Sequence, residues 1–248
     1  MTAAPDASVA LAALIDVMDR LRSPGGCPWD AQQTHASLMK YTLEEAYELV
    51  EAVEQGDRPG IREELGDLLL QVVFNARVAQ EHPDDPFDIG DVARDLTSKL
   101  VRRHPHVFAE ETYVDDERLR ASWDAIKQQE KRRTSVLEGI PLDLGALSRA
   151  QKVLVRAQRA GLVPVAEPVP DDARLAAASG TGSGAGAEVF DETRRTEAIG
   201  AGLLDLVRRA LADGIDAEGA LRAALRHVES DIAASERRLA EAAAPAEC

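Results

Sequence analysis

Five acidic side chains occur in two short stretches of the N-terminal half, Glu44-Glu45-x-x-Glu48 and Glu64-x-x-Asp67. Residues three or four positions apart share one face of an α-helix, so Glu45 aligns with Glu48 and Glu64 aligns with Asp67. Carboxylates gathered in this way repel, since two unit charges about 4 Å apart cost roughly 4 kcal/mol at an effective dielectric near 20. Mg²⁺, or Mn²⁺, prefers such oxygen ligands and would offset the repulsion. The pattern therefore predicts a metal site that can act on phosphate groups.

Each acid also has a purely structural interpretation. Thr42-x-x-Glu45 has the spacing of a capping box, in which Glu45 would only fix the start of a helix. Glu63, Glu64 and Asp67 could form an exposed face, or could be favoured by the dipole at their helix N-terminus. A di-iron site of the ferritin type is disfavoured, because neither acid pair offers a His at the Glu-x-x-His spacing. The combined pattern, set among apolar residues, favours the metal site.

A helical hairpin is the element that must bring the two acid pairs together. Thr42 predicts the start of a helix that runs to about Gln55, where Gly56 ends it. The segment 57–60 has the composition of a tight turn, and a second helix is predicted from there to about Glu81. So short a connection predicts antiparallel packing of the two helices.

The rest of the chain is also predicted to be helical. Its 248 residues are 45% hydrophobic but only 4% aromatic, which suits packed helices better than sheets. The fold class expected is therefore all-α, an antiparallel helical bundle. Further helices are predicted over residues 9–21, 91–103, 117–132, 145–160, 193–212 and 217–242, with an extended segment at 104–108. Residues 164–190, rich in Pro, Gly and Ser, have the composition of a flexible linker.

Charge and cysteine content narrow the partners and the compartment. The formal net charge of −15 disfavours binding to the phosphates of DNA or RNA. The two cysteines, Cys27 and Cys248, form neither a disulfide framework nor a metal motif, which fits a reducing cytoplasm. The apolar run from Val9 to Ile15 is too short for a membrane span and is unlike a signal peptide. We expect a cytoplasmic protein without a membrane partner.

Basic and aromatic residues offer contacts for a phosphorylated ligand. Lys99, Arg102 and Arg103 lie at helical spacing and could bind phosphate oxygens, or could form a solvated helix end favoured by the dipole. Trp29 and Trp123 could stack on a nucleobase, although structural aromatic residues are commoner.

At these motifs the sequence resembles the MazG family of nucleoside triphosphate pyrophosphohydrolases. The resemblance covers roughly residues 10–160. It rests on the acid pattern together with LRSPGGCPWD (21–30), YTLEE (41–45), ELGDLL (64–69), KLVRRHPHVF (99–108) and Trp123 with Ile126-Lys127. It implies an all-α fold of MazG type, usually a homodimer, that uses Mg²⁺ to hydrolyse nucleoside triphosphates to monophosphate and pyrophosphate. Housekeeping of the nucleotide pool would be its role.

The resemblance also implies roles for single residues. Glu45, Glu48, Glu64 and Asp67 would be the metal ligands, and Glu44 would either support these ligands from behind or orient the water. Substrate contacts would come from the nucleotide-facing residues Trp29, Asn75, Trp123 and Lys127 and from the phosphate-facing residues Lys99, Arg102 and Arg103.

The C-terminal part departs from the family pattern. Residues 197–204 only faintly echo 64–69: the aspartate is missing and no Glu-Glu-x-x-Glu precedes it. The expected organisation is a catalytic MazG-like domain over 1–163, the linker over 164–190, and a degenerate, non-catalytic helical repeat over 191–248. This departure keeps a second hypothesis open, namely a catalytically weak nucleotide-binding protein with a regulatory or interaction role.

Overall fold

A computed structural model describes residues 6–109, 134–162 and 185–243, with side chains in the last range described for 192–240. All regular elements in these ranges are helices, which confirms the all-α prediction. The helices are α1 (Ala7–Arg22), α2 (Pro28–Gln32), α3 (His35–Gln55), α4 (Arg58–Ala79), α5 (Ile89–Arg103), α6 (Pro105–Phe108), α7 (Ala146–Arg159), α8 (Ala185–Ala212) and α9 (Ala217–Ala243). The chain divides into two compact units, residues 1–126 and 127–248.

Helix α3 is longer than predicted because its true N-cap is Thr34. The Thr34 hydroxyl accepts a hydrogen bond from the Ser37 amide (3.2 Å), and the Thr34 amide donates to the Ser37 hydroxyl (2.9 Å). Thr42, predicted to be the N-cap, lies two turns inside the helix, where its hydroxyl donates to the Leu38 carbonyl (3.2 Å). The capping-box interpretation of Glu45 is therefore wrong. Gly56 ends the helix in the left-handed conformation (φ 70°), as its sequence position predicted.

Helix α4 begins earlier than predicted, directly after Gly56 and Asp57. The segment 58–60, predicted to be a turn, forms its first helical turn, because Pro59 is tolerated where an amide has no helical partner. With a connection this short, α3 and α4 pack along most of their length as an antiparallel hairpin. The predicted hairpin is confirmed, and only the capping details differ.

A small apolar core supports this hairpin. Met18 of α1, Leu38 of α3 and Val73 and Phe74 of α4 are all at most 4% exposed and contact one another. Burial of such side chains contributes about 1.5–3 kcal/mol each. Leu14, Ile15, Tyr41, Leu69, Leu70, Val78 and Ile89 pack around them half-buried. The core thus holds α1, α3, α4 and the start of α5 together.

Helix α5 follows the hairpin and packs against α4. Asp88 caps it in a reciprocal arrangement with Asp91: each backbone amide donates to the other's carboxylate, at 2.8 and 3.0 Å. After α5, residues 105–108 form the short helix α6, so the prediction of an extended segment is wrong. Pro105 at the first helical position favours a new helical turn there.

The C-terminal unit contains α7, α8 and α9, whose predicted positions are confirmed to within a few residues except at the start of α8. Helix α7 packs against both of the others. Its Gln151 side chain donates to the Ile215 carbonyl (2.6 Å) and accepts from the Ala217 amide (3.1 Å), so it fixes the turn between α8 and α9. Glu218 accepts from the Ser148 amide (3.3 Å) at the N-terminus of α7.

Three predictions stay open. The helix over 117–132 and most of the linker over 164–190 lie outside the described residues, and the domain boundary after residue 163 remains a prediction. Over the described ranges, every helix is too short or too polar to cross a lipid bilayer.

Candidate active site

The two predicted acid pairs face each other across the α3/α4 hairpin. Carboxylate oxygens of Glu45, Glu48 and Glu64 all lie within 4.8 Å of one another. Asp67, one turn beyond Glu64, is close enough to raise the pKa of both Glu45 and Glu64. Glu44 is exposed and stands outside this group of oxygens. Three carboxylates therefore meet across the hairpin, and Asp67 lies near them but outside the 4.8 Å group; we call these four residues the acid cluster (Glu45, Glu48, Glu64, Asp67).

The pKa values of two of these carboxyls are raised. For Glu45, partial burial is the largest cause, followed by the charges of Asp67 and Glu48 and a side-chain hydrogen bond with Glu48. For Glu64, the loss of hydration again comes first, followed by the charges of Glu48, Glu63 and Asp67. Both groups therefore resist ionisation while no cation is near them.

The donor set of the acid cluster suits a divalent cation with hard-oxygen preference. Within the part of the chain that the structure describes, no Lys, Arg or His forms an ion pair with any of the four carboxylates. All ligand atoms would be carboxylate oxygens, which fits Mg²⁺ or Mn²⁺ and offers no nitrogen or sulfur for zinc. A bound cation would relieve the repulsion among these carboxylates, for which the described residues supply no counter-charge.

Polar contacts continue between α3 and α4, from the acid cluster towards the start of α3. We call this line of residues, which begins at the acid cluster, the polar seam (Thr42, Gln71, His35, Asn75). The Thr42 hydroxyl lies 3.5 Å from the Gln71 side-chain oxygen, and Gln71 is buried although it is polar. Further along, His35 Nδ1 lies 2.8 Å from Asn75 Oδ1. The seam is therefore polar from His35 to Glu48, whereas the flanking faces of the hairpin form the core.

Trp29 stands beside this seam on helix α2. Its indole is half exposed and contacts the Tyr41 ring edge-on, with ring centroids 6.0 Å apart. Tyr41 precedes Glu45 by four residues, so both lie on one face of α3. The exposed indole is thus placed about one helical turn from the acid cluster.

Arg22 anchors the segment that carries Trp29. This arginine is only 8% exposed, and its guanidinium donates to the Glu81 carboxylate at 2.9 and 2.8 Å. It also donates to the carbonyls of Asp30 (2.7 Å) and Gln33 (2.9 Å), on either side of the end of α2. Charge-assisted, bidentate hydrogen bonds between arginine and a carboxylate are among the strongest hydrogen bonds in proteins. They fix the position of α2 relative to the end of α4.

The predicted phosphate-binding residues lie on the last turns of α5. Lys99 and Arg102 are exposed, whereas Arg103 is half-buried, and all three lie within one helix at the predicted spacing. Trp123 and Lys127 lie outside the described residues. Their assignment as substrate contacts, like that of the basic residues, remains a prediction.

One seam residue, His35, escaped the sequence analysis. The acid spacing on its own does not reveal it, because it becomes a neighbour of Asn75 only when the hairpin register is known. The signal that could have located His35 is its position directly after the N-cap Thr34.

Comparison with known protein sequences identifies the family of the domain that contains this site. The family model for the MazG nucleotide pyrophosphohydrolase domain matches residues 33–108, which include the whole hairpin and α5. An uncharacterized 26.1 kDa protein of Streptomyces cacaoi is 45% identical over 90% of this chain and 81% of its own length. The chain belongs to the MazG family.

Two further relatives bear the functional name nucleoside triphosphate pyrophosphohydrolase. The Mycobacterium tuberculosis protein is 48% identical over 64% of this chain and 47% of its own length. The Escherichia coli K12 protein is 46% identical over 60% of this chain and 57% of its own length. The chain thus spans about half the length of these two relatives, and the MazG domain match ends at residue 108, before the C-terminal unit.

Proposed function

We propose that this MazG protein is a nucleoside triphosphate pyrophosphohydrolase that releases a nucleoside monophosphate and pyrophosphate. The observation that carries the proposal is the acid cluster, in which three carboxylates from two helices approach within 4.8 Å and form no ion pair with a basic residue of the described ranges. The names of the relatives from M. tuberculosis and E. coli support the same reaction. The physiological role would be control of the nucleotide pool, in the cytoplasm, where the substrates occur.

Mg²⁺ is the cation that we propose for the site, held by Glu45, Glu48, Glu64 and Asp67. When bound, it would supply charge for the phosphate oxygens and acidity for a water molecule. Glu44, exposed beside the cluster, would orient that water for in-line attack at the α-phosphorus.

Other residues of the chain would bind and orient the rest of the substrate. Lys99, Arg102 and Arg103 would neutralise the charge that develops on the departing pyrophosphate, which is the main demand of phosphoryl transfer. Trp29 would offer a stacking face to the base, and Asn75 would contact the nucleoside. Both lie on the same side of the cluster, towards the start of α3.

A product assay tests the proposal. With Mg²⁺ and a panel of nucleoside triphosphates, pyrophosphate rather than orthophosphate should be the first inorganic product. Glu48→Gln and Asp67→Asn should each reduce turnover by at least about 100-fold, since each removes charge on which the cation depends. Orthophosphate as first product, or full activity in both variants, contradicts the proposal.

The alternative function is nucleotide binding without turnover, in a regulatory or interaction protein. The absence of the family's acid pattern from residues 191–248 is the observation that favours it. Tight triphosphate binding with no product at any Mg²⁺ or Mn²⁺ concentration would select this function instead.

We also propose that the protein acts as a homodimer. Met39, Leu43 and Tyr47 repeat every four residues along α3 and are 45–64% exposed. Such an apolar stripe is typical of a face that another helix covers. A second copy of the chain would cover it. The measurement is the molar mass in solution, with Leu43→Lys expected to shift the protein to a monomer.

A further inference from the structure

The polar seam of the hairpin ends in a hydrogen bond between His35 and Asn75, 2.8 Å long. His35 is the first residue of α3 and is exposed, whereas Asn75 is half-buried on α4. The core of Met18, Leu38, Val73 and Phe74 supports the two helices independently. The pair is therefore not needed to hold the hairpin together.

The surrounding contacts fix which way round the Asn75 amide stands. Asn75 Nδ2 donates to the Gln71 backbone carbonyl, one turn earlier in the same helix, at 2.8 Å. Oδ1 must then face His35, where it accepts a hydrogen bond from Nδ1–H. Neutral His35 therefore carries its proton on Nδ1, and its Nε2 is an acceptor. The amide retains one N–H and one lone pair for a ligand.

This amide stands where a nucleoside would lie. Asp67, Gln71 and Asn75 are spaced by four residues, so they share one face of α4, and Asn75 lies about 12 Å along the axis from Asp67. Trp29 and its partner Tyr41 lie on the same side of the acid cluster. A triphosphate bound at the cluster would thus extend its nucleoside towards the start of α3, where His35 and Asn75 meet.

We propose that His35 is a positioning residue that holds the Asn75 amide in the orientation that recognises the nucleoside. The amide then presents a donor beside an acceptor, which matches the edge of a nucleobase. This inference rests on the proposed function for the direction of the substrate. Without His35, only the bond to the Gln71 carbonyl would hold the amide, and the tilt of the amide towards the nucleoside would no longer be fixed.

Three substitutions at one position test the inference. His35→Ala removes the donor. His35→Asn places an amide N–H at the position of Nδ1, while His35→Gln places it nearer the position of Nε2. We expect KM for nucleoside triphosphates to rise about five- to tenfold in His35→Ala and His35→Gln, with kcat within twofold. His35→Asn should restore KM, and Gln32→Ala, an exposed neighbour on α2, should leave it unchanged.

Affinity measurements separate recognition of the nucleoside from binding of the phosphates. Non-hydrolysable nucleoside triphosphates should lose the same five- to tenfold in affinity for His35→Ala. Inorganic triphosphate, which lacks a nucleoside, should bind all variants equally. An abasic ribose triphosphate should also bind them equally if the base edge is what Asn75 reads, whereas a loss with this ligand would assign the contact to the sugar and overturn the base assignment.

The outcomes distinguish this inference from the proposed function. If the wild-type protein releases pyrophosphate but His35→Ala keeps its KM, the inference fails and the function stands. If nucleotides bind without turnover, the function fails, and the affinities of the His35 variants still decide the inference. Equal weakening of inorganic triphosphate, failure of His35→Asn to restore affinity, or no nucleotide binding by the wild-type protein overturns the inference.

Discussion

Two helical hairpins of this chain share a plan and differ in the chemistry of their carboxylates. A left-handed glycine lies between the two helices of each hairpin, Gly56 between α3 and α4 and Gly214 between α8 and α9, each with φ 70°. In the first hairpin the half-buried Glu45 and Glu64 face other acids. In the second, the buried Asp205 lies 3.5 Å from the guanidinium of Arg208 on its own helix.

The difference shows that the charge of a carboxylate held partly or fully away from water can be compensated in two ways. Asp205 is compensated by a basic residue within the protein, so it requires nothing further. The acid cluster lacks such a partner among the described residues, so its charges favour protonation or a bound cation. Among the described residues, Glu45, Glu48 and Glu64 form a group of acids close enough to hold a metal ion, and the described part of the C-terminal unit contains no such group. Shared topology therefore does not imply shared function.

The largest expected difference between the two hairpins appears when one acid is neutralised in each of them. Glu64→Gln should lower pyrophosphate release by at least about 100-fold, because it removes a carboxylate around which the cation would bind. Glu229→Gln, at an exposed position of α9, is the matched control and should stay within twofold of wild type. Steady-state assays with saturating Mg²⁺ measure both. Comparable losses in the two variants would contradict a functional difference between the hairpins.

A smaller effect is expected where the hairpins are alike. Gly56→Ala and Gly214→Ala should each destabilise their own unit by about 1 kcal/mol, since an L-residue is strained at positive φ. A Cβ meets no atom within 4 Å at either position, so backbone strain is the only cause. Hydrogen exchange of the adjoining helices measures the loss in each unit. A loss in only one variant would show that the two turns are not equivalent.

The smallest effect concerns the pH dependence of stability without divalent cations. The pKa values of Glu45 and Glu64 are raised above 4.5, so between 4.5 and the raised values the folded protein binds more protons than the unfolded chain. In a chelator, the free energy of unfolding should therefore fall as pH rises through that window. Glu45→Gln should flatten this fall, whereas Glu229→Gln should not.

Added Mg²⁺ should reverse the sign of this pH dependence. The cation binds the ionised carboxylates, so its stabilising effect grows as pH rises. Thermal unfolding at several pH values, with chelator and with Mg²⁺, measures both slopes. A slope that is the same under the two conditions would indicate that the acid cluster does not bind the cation.

Capping and register were only partly predictable from the sequence. Gly56 was located correctly because few residues other than glycine adopt positive φ. Thr42 was misjudged because it precedes an acid at capping-box spacing, and yet Thr34 already provides a better cap eight residues earlier. Local patterns compete for such roles, and the packing of Leu38 against the core decides the outcome.

Residue types and their spacing alone determined the all-α class, the hairpin and the alignment of each acid pair on one helical face. Helical periodicity is a local property, so the chain carries it without tertiary contacts. Only the tertiary structure decided which residues meet across α3 and α4. It placed Glu45 against Glu64 and His35 against Asn75, while Glu44 remained outside the cluster. Contacts between helices depend on register and rotation, which the packed core sets.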